Sequence, residues 1–206
     1  MKNIKKSILG YLIAFLAFEL LGFLFVSNFS KLEQMKFINS HNSLFFDWFF
    51  WGITQTAEYI LPIAFLFYLW KRHMELLKPY VFSYAVSTFF VQILKHWIFS
   101  GALRPIAYLA DAKVSWHLKD GLFINTVNSF PSGHTNAAWW MYFWMAYLMP
   151  KKWMGFGMGC LAFGVAYSRV YLFQHFPIDT LVGAAFGCLI SLFMYQFYAD
   201  KLQKHV

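Results

Sequence analysis

Six long runs of apolar residues divide this 206-residue chain, and their length constrains it more than any other feature. They cover residues 8–26, 49–70, 80–99, 136–149, 153–172 and 178–199. A helix needs about 20 residues to cross about 30 Å of hydrocarbon, and lipid offers no partner to an unpaired backbone N–H or C=O. Runs of this length therefore predict helices that satisfy their own backbones inside a bilayer. The fourth run is short unless its helix begins back at Ser132. Composition agrees, because 60% hydrophobic against 13% charged residues lies outside the range of ordinary soluble domains. No repeat, linker or low-complexity stretch interrupts the pattern. The expected fold is all-α: one domain over residues 1–206, a polytopic membrane protein with six transmembrane helices.

A formal charge of +8 raises the question of nucleic acid, and its placement answers it. The basic residues fall in short clusters between apolar runs, with no basic face interleaved with stacking aromatics, so no nucleic-acid partner is expected. With the N-terminus inside, the inner segments hold Lys2, Lys5, Lys6, Lys71, Arg72, Lys78, Lys151, Lys152, Lys201 and Lys204, ten of the 17 basic residues. The outer segments hold Lys31, Lys36, Lys95, Arg104, Lys113, Lys119 and Arg169, although they are much longer. This is the positive-inside asymmetry. The first run is about membrane length and lacks a small-x-small cleavage site, which reads as a retained span. Cys160 and Cys188 each lie inside an apolar run and read as small buried hydrophobes.

Three polar clusters stand at helix ends on the outer side. Residues 95–105, KHWIFSGALRP, leave the third span; Pro131-Ser132-Gly133-His134 enter the fourth; residues 168–179, SRVYLFQHFPID, join the fifth to the sixth. Together they describe phosphoryl transfer without a metal. Lys95, Arg104 and Arg169 suit phosphate oxygens, the arginines through forked contacts. Ser132 and Gly133 stand at a helix N-terminus, where free N–H groups favour an anion. One histidine can attack phosphorus while the other protonates the leaving oxygen. Asp179 follows His175 by four residues, a spacing that lets a carboxylate orient an imidazole.

These clusters resemble the motifs of the type-2 phosphatidic acid phosphatase superfamily, which shares its active site with vanadium haloperoxidases. The tetrad Pro131-Ser132-Gly133-His134 matches the second motif unchanged, and Ser168, Arg169, His175 and Asp179 match the third. The resemblance implies that His175 is the nucleophile forming a phosphohistidine, that Asp179 orients it, and that His134 is the general acid. It implies phosphate binding by Lys95, Arg104, Ser132, Gly133 and Arg169, with no metal and no cofactor. The first motif departs: eight residues separate Lys95 from Arg104 where the family has six. A nine-residue step turns a straight helix through about 900°, to the opposite face, so a break at Gly101 is expected to bring Arg104-Pro105 back.

The expected activity is hydrolysis of a phosphomonoester or pyrophosphate of a membrane lipid. Phosphatidic acid, phosphatidylglycerol phosphate, polyprenyl phosphates and pyrophosphates, and lipid A phosphates are all open, and the expected site is a bacterial inner membrane with the chemistry facing outward. A lipid phosphotransferase would share the first half of the reaction. An anion transporter would want charges at mid-membrane on several spans. His96 and His117 read as structural. Glu19 and Glu58, carboxylates within spans one and two, are costly there and ask for a partner, Lys95 being one choice.

Overall fold

The structure, a computed structural model, describes residues 4–199, and every regular element among them is helical. Lys2, Lys201 and Lys204, assigned above to the inner side, lie outside the described residues. The helices are α1 (Lys6–Asn28), α2 (Lys31–Asn39), α3 (Leu44–Gln55), α4 (Ile60–Arg72), α5 (Met74–Ile93), α6 (Pro105–Tyr108), α7 (Gly133–Leu148), α8 (Lys152–Tyr171) and α9 (Pro177–Phe197). A π-helical turn, Leu94–Ile98, extends α5.

Of these, α1 and α9 are each long and apolar enough to cross a membrane unaided. The outer face of α1 shows what surrounds it: Leu16, Leu20, Leu21 and Phe23 are all more than 60% exposed. In water a continuous apolar stripe of that kind would drive aggregation, whereas acyl chains solvate it. Cys160 belongs to the same lipid-facing category. Contrary to expectation it is exposed, while Cys188 is buried, and both are free thiols.

The expected second span is not one helix. After Gln55 the chain tightens into three successive i→i+3 bonds, Thr56 to Ile53, Ala57 to Thr54 and Glu58 to Gln55, and α4 restarts at Ile60. Two local features account for the break. Thr56 Oγ1 turns back to the Ile53 carbonyl at 2.7 Å, competing with the ladder. Pro62 has no N–H and fits only a first turn, where that hydrogen would be an orphan anyway. Glu58 sits at the break itself. From it α3 runs along α8, while α4 pairs with α5.

The core is aromatic and lies among α1, α5, α7, α8 and α9. Tyr11, Trp139, Phe143 and Trp144 are fully buried, and most of their polar hydrogens find acceptors, as low-polarity surroundings demand. Trp140 Nε1 donates to the Tyr80 carbonyl at 2.9 Å and Trp144 Nε1 to Ser83 Oγ at 2.8 Å. One pairing matters most for the site. α7 lies directly against α9 because Gly183 and Gly187 have no side chains: a Cβ on Gly183 would strike the Ser132 carbonyl, and one on Gly187 the Asn136 carbonyl.

Candidate active site

The C-terminus of α8 sets the first part of the site. Phe173, at φ +60°, takes the left-handed conformation that closes a helix. The Gln174 N–H then returns to the Arg169 carbonyl at 2.9 Å and the Phe173 N–H to Val170 at 3.0 Å, with the His175 N–H also reaching the Arg169 carbonyl at 3.1 Å. A phenylalanine is an uncommon occupant of this position, and burial of its ring offsets the strain. The consequence is that Arg169 and His175, six residues apart, are clamped to one backbone oxygen.

Asp179 occupies the first turn of α9. Its Oδ2 accepts the backbone N–H of Phe176 at 3.0 Å and the hydroxyl of Ser129, and lies 3.5 Å from His175 Nδ1. That last separation is beyond a formed hydrogen bond, and Nδ1 has no hydrogen-bond partner. Asp179 thus faces Nδ1 and leaves Nε2 turned away from it. Burial pushes the His175 imidazole down to about 3; Asp179 opposes the shift, while Arg104 and Arg169 reinforce it. The ring is therefore neutral at working pH. Ser132 is tied to the same carboxylate-bearing residue, its N–H donating to the Asp179 carbonyl at 2.9 Å. Its hydroxyl caps α7 by accepting the Thr135 N–H at 3.4 Å, so α7 does begin at the expected place.

The cations come from three elements. Arg104 is buried in the long segment between α5 and α7: Nε donates to the Val127 carbonyl at 3.0 Å, and Nη1 to Gln174 Oε1 at 2.7 Å and to the Gln174 carbonyl at 3.1 Å. Burial draws this guanidinium below its ordinary range, against the pull of Asp179. Arg169 donates from Nη1 to Thr54 Oγ1 at 3.0 Å, while its buried Nε has no partner. Lys95 rides on the π turn. The nine-residue step of the first motif is absorbed by that turn together with Gly101, whose φ of +82° suits only glycine without strain. Lys95, Arg104 and Arg169 lie close enough for their charges to act on one another and on the His134 imidazole, and the two arginines act on His175 as well.

His134, in the first turn of α7, meets an unexpected partner. Its Nε2 lies 3.2 Å from Glu58 Oε1 at the α3–α4 break. Lys95 is thus not the partner of Glu58. The other intramembrane carboxylate, Glu19, has a buried Oε1 with no hydrogen bond. Glu58 and His134 both line a cleft of about 490 Å³ walled also by Pro62, Leu66, Tyr80, Ala137 and Trp140, with the exposed Tyr59, Ile63, Val81 and Tyr84 on its rim.

All eight residues singled out in the sequence lie around this one locus. Thr54, Ser129 and Gln174 join them without a sequence signal, because each acts by a contact between segments remote in the chain. Gly183 had one, the small-xxx-small pair Gly183/Gly187 in an apolar helix. His117 stands apart, held by Asp47 at 2.9 Å, and His96 is exposed. Among the described residues, no three His, Cys, Asp or Glu side chains gather as a metal-holding group.

The profile of the PAP2 superfamily matches residues 76–203. The lipid A 4'-phosphatase of Bacteroides thetaiotaomicron is 26% identical over 184 residues, which are 82% of this chain and 77% of that protein. The bacitracin transport permease protein BcrC of Bacillus licheniformis is 40% identical over 68 residues, 33% of this chain and 32% of that one. The crystal structure of Aquifex aeolicus LpxE superposes with a TM-score of 0.68 at 25% identity, covering 83% of this chain and 98% of its own. That of the first transmembrane PAP2-type phosphatidylglycerolphosphate phosphatase from Bacillus subtilis gives 0.66 at 21% identity, over 92% and 96%, a likeness of fold.

Proposed function

Because this chain belongs to the PAP2 superfamily and is a membrane phosphatase, we propose that it removes phosphate from the headgroup of a membrane lipid through a phosphohistidine. The carrying observation is the juxtaposition of a cationic pocket with an apolar cleft: Lys95, Arg104 and Arg169 gather by His134, which lines the groove between α4, α5 and α7. A soluble phosphate ester would need only the pocket. A lipid uses both, its phosphate among the cations and its aliphatic part along the groove.

The reaction divides into two displacements. His175 is neutral and its Nε2 is turned away from Asp179, so the Nε2 lone pair attacks phosphorus. The bond from phosphorus to the lipid oxygen breaks as His134 gives that oxygen a proton. A water molecule, losing a proton to His134, then attacks the phosphohistidine and releases inorganic phosphate and the free imidazole. Arg104, Arg169 and Lys95 spread the charge that grows on the equatorial oxygens. Asp179 stabilises the charge left on His175 after attack. The unpartnered Nε of Arg169 supports its place as a phosphate donor. The reaction as written calls on no metal.

Among lipids, the phosphate of lipid A is the first substrate to try, supported by the Bacteroides relative over 82% of the chain. Six crossings, with α3 and α4 sharing one, and a site facing the outside of an inner membrane complete the reading. Phosphate release by the purified protein should be measured on lipid A, phosphatidylglycerol phosphate, phosphatidic acid and polyprenyl mono- and diphosphates. We expect release from at least one of them in the presence of EDTA, inhibition by vanadate, and no turnover by His175→Ala. Release from none, a strict need for Mg²⁺ or Zn²⁺, or undiminished turnover by His175→Ala would overturn the proposal.

A further inference from the structure

We infer that Glu58 is the positioning residue of the general acid. The inference rests on the phosphatase reading above and adds to it a residue from outside the three motifs. The observation is geometric: the break between α3 and α4 delivers a carboxylate to 3.2 Å from His134 Nε2, and both residues line the groove along which the lipid would lie. An uninterrupted helix over residues 49–70 would carry no such turn. The break, the tight turns before it and Pro62 after it all serve to place this one side chain.

His134 needs such a partner because of what else faces it. Lys95 on the π turn, Arg104 on the loop, Arg169 on α8 and His175 beyond α8 all bear on its ring, and none of them can stabilise a positive charge there. Glu58 supplies the missing negative charge and fixes the plane of the ring. An ionised carboxylate only accepts, so Nε2 carries the shared hydrogen, and Nδ1 is left to give a proton to the leaving oxygen and to take one from water. The net proton count of the reaction is unchanged: Glu58 holds the ring and keeps its own charge throughout. The arrangement parallels that of Asp179 with His175, one carboxylate for each imidazole, Asp179 in the first turn of α9 and Glu58 at the break between α3 and α4.

A role exercised through the general acid has a signature that a structural role lacks. It matters for a leaving group that needs a proton and little for one that does not. Glu58→Gln keeps the side chain's size. We expect it to lower kcat on the lipid phosphate at least tenfold, while turnover of 4-nitrophenyl phosphate, whose leaving group departs as a stable phenolate, changes less than twofold. In the His134→Ala background, Glu58→Gln should cost nothing further, since two residues acting as a unit are not additive. Glu58→Asp, which keeps the charge, should recover part of the lost rate. Equal losses on both substrates, no loss on either, or full additivity with His134→Ala would overturn the inference. A wild-type protein that cleaves neither substrate would instead sink the phosphatase reading itself.

Discussion

The imidazole of His175 is placed where a proton is hard to keep. Burial holds it down to about 3, against an ordinary value near 6.5. Because the folded value lies below the unfolded one, the unfolded chain binds more protons between them. The stability tied to the neutral ring is complete above about pH 6.5 and drains away as pH falls toward 3, by up to about 1.4 kcal/mol per pH unit. Thermal midpoints in detergent, taken from pH 7 down to 4, should therefore fall more steeply for the wild type than for His175→Asn; parallel curves would contradict the assignment. A second residue-scale expectation concerns Ser129, whose hydroxyl is spent on Asp179 Oδ2. Hydrogen bonds to charged groups are worth about 1.5–3 kcal/mol, so Ser129→Ala should lower kcat roughly tenfold or more and leave KM nearly unchanged. The motif residues were legible because chemistry fixes their types and spacing. Ser129, Gln174 and Thr54 were not, because a hydroxyl or amide in a loop becomes informative only once the fold shows what it touches.

At the scale of elements, lengths and polarity were legible, and register was not. Apolar runs announce spans, and Ser132 as a cap announces the start of α7. The split of the second span was hidden because its one glycine, Gly52, lies inside α3 and not at the break, where Thr56 and Pro62 were the available signals. The π turn at Leu94–Ile98 was equally hidden, although the anomalous spacing of Lys95 and Arg104 marked its neighbourhood. The contact between α7 and α9 is the element-level feature with the sharpest test. Gly183→Leu would drive a side chain into the Ser132 carbonyl and pry the phosphate turn away from Asp179. Overpacking of this kind costs typically 1–3 kcal/mol. The protein should still insert and purify, with phosphatase activity reduced by more than tenfold. Gly157→Leu, at a position with open space around it, should be close to wild type in the same assay. Equal activity in the two variants would mean that the close approach has no bearing on the site.

For the whole molecule the basic loops set the orientation to be tested. Single cysteines at Lys113 and Lys152, both exposed, in a background lacking Cys160 and Cys188, separate the two sides. An impermeant thiol reagent added to spheroplasts should label the first and spare the second, since basic loops resist translocation. The opposite pattern would turn the enzyme over. The groove between α4, α5 and α7 carries a further consequence for how such an enzyme meets its substrate. Three of its exposed rim residues, Ile63 on α4 and Val81 and Tyr84 on α5, are carried by long apolar helices, whose exposed side chains meet lipid. Arrival is then diffusion in a plane, and the concentration that governs the rate is mole fraction within the leaflet. At a fixed total amount of lipid phosphate, mixing in inert lipid should slow the reaction. Adding more vesicles of the same composition, at constant enzyme per vesicle, should leave the turnover of each enzyme untouched.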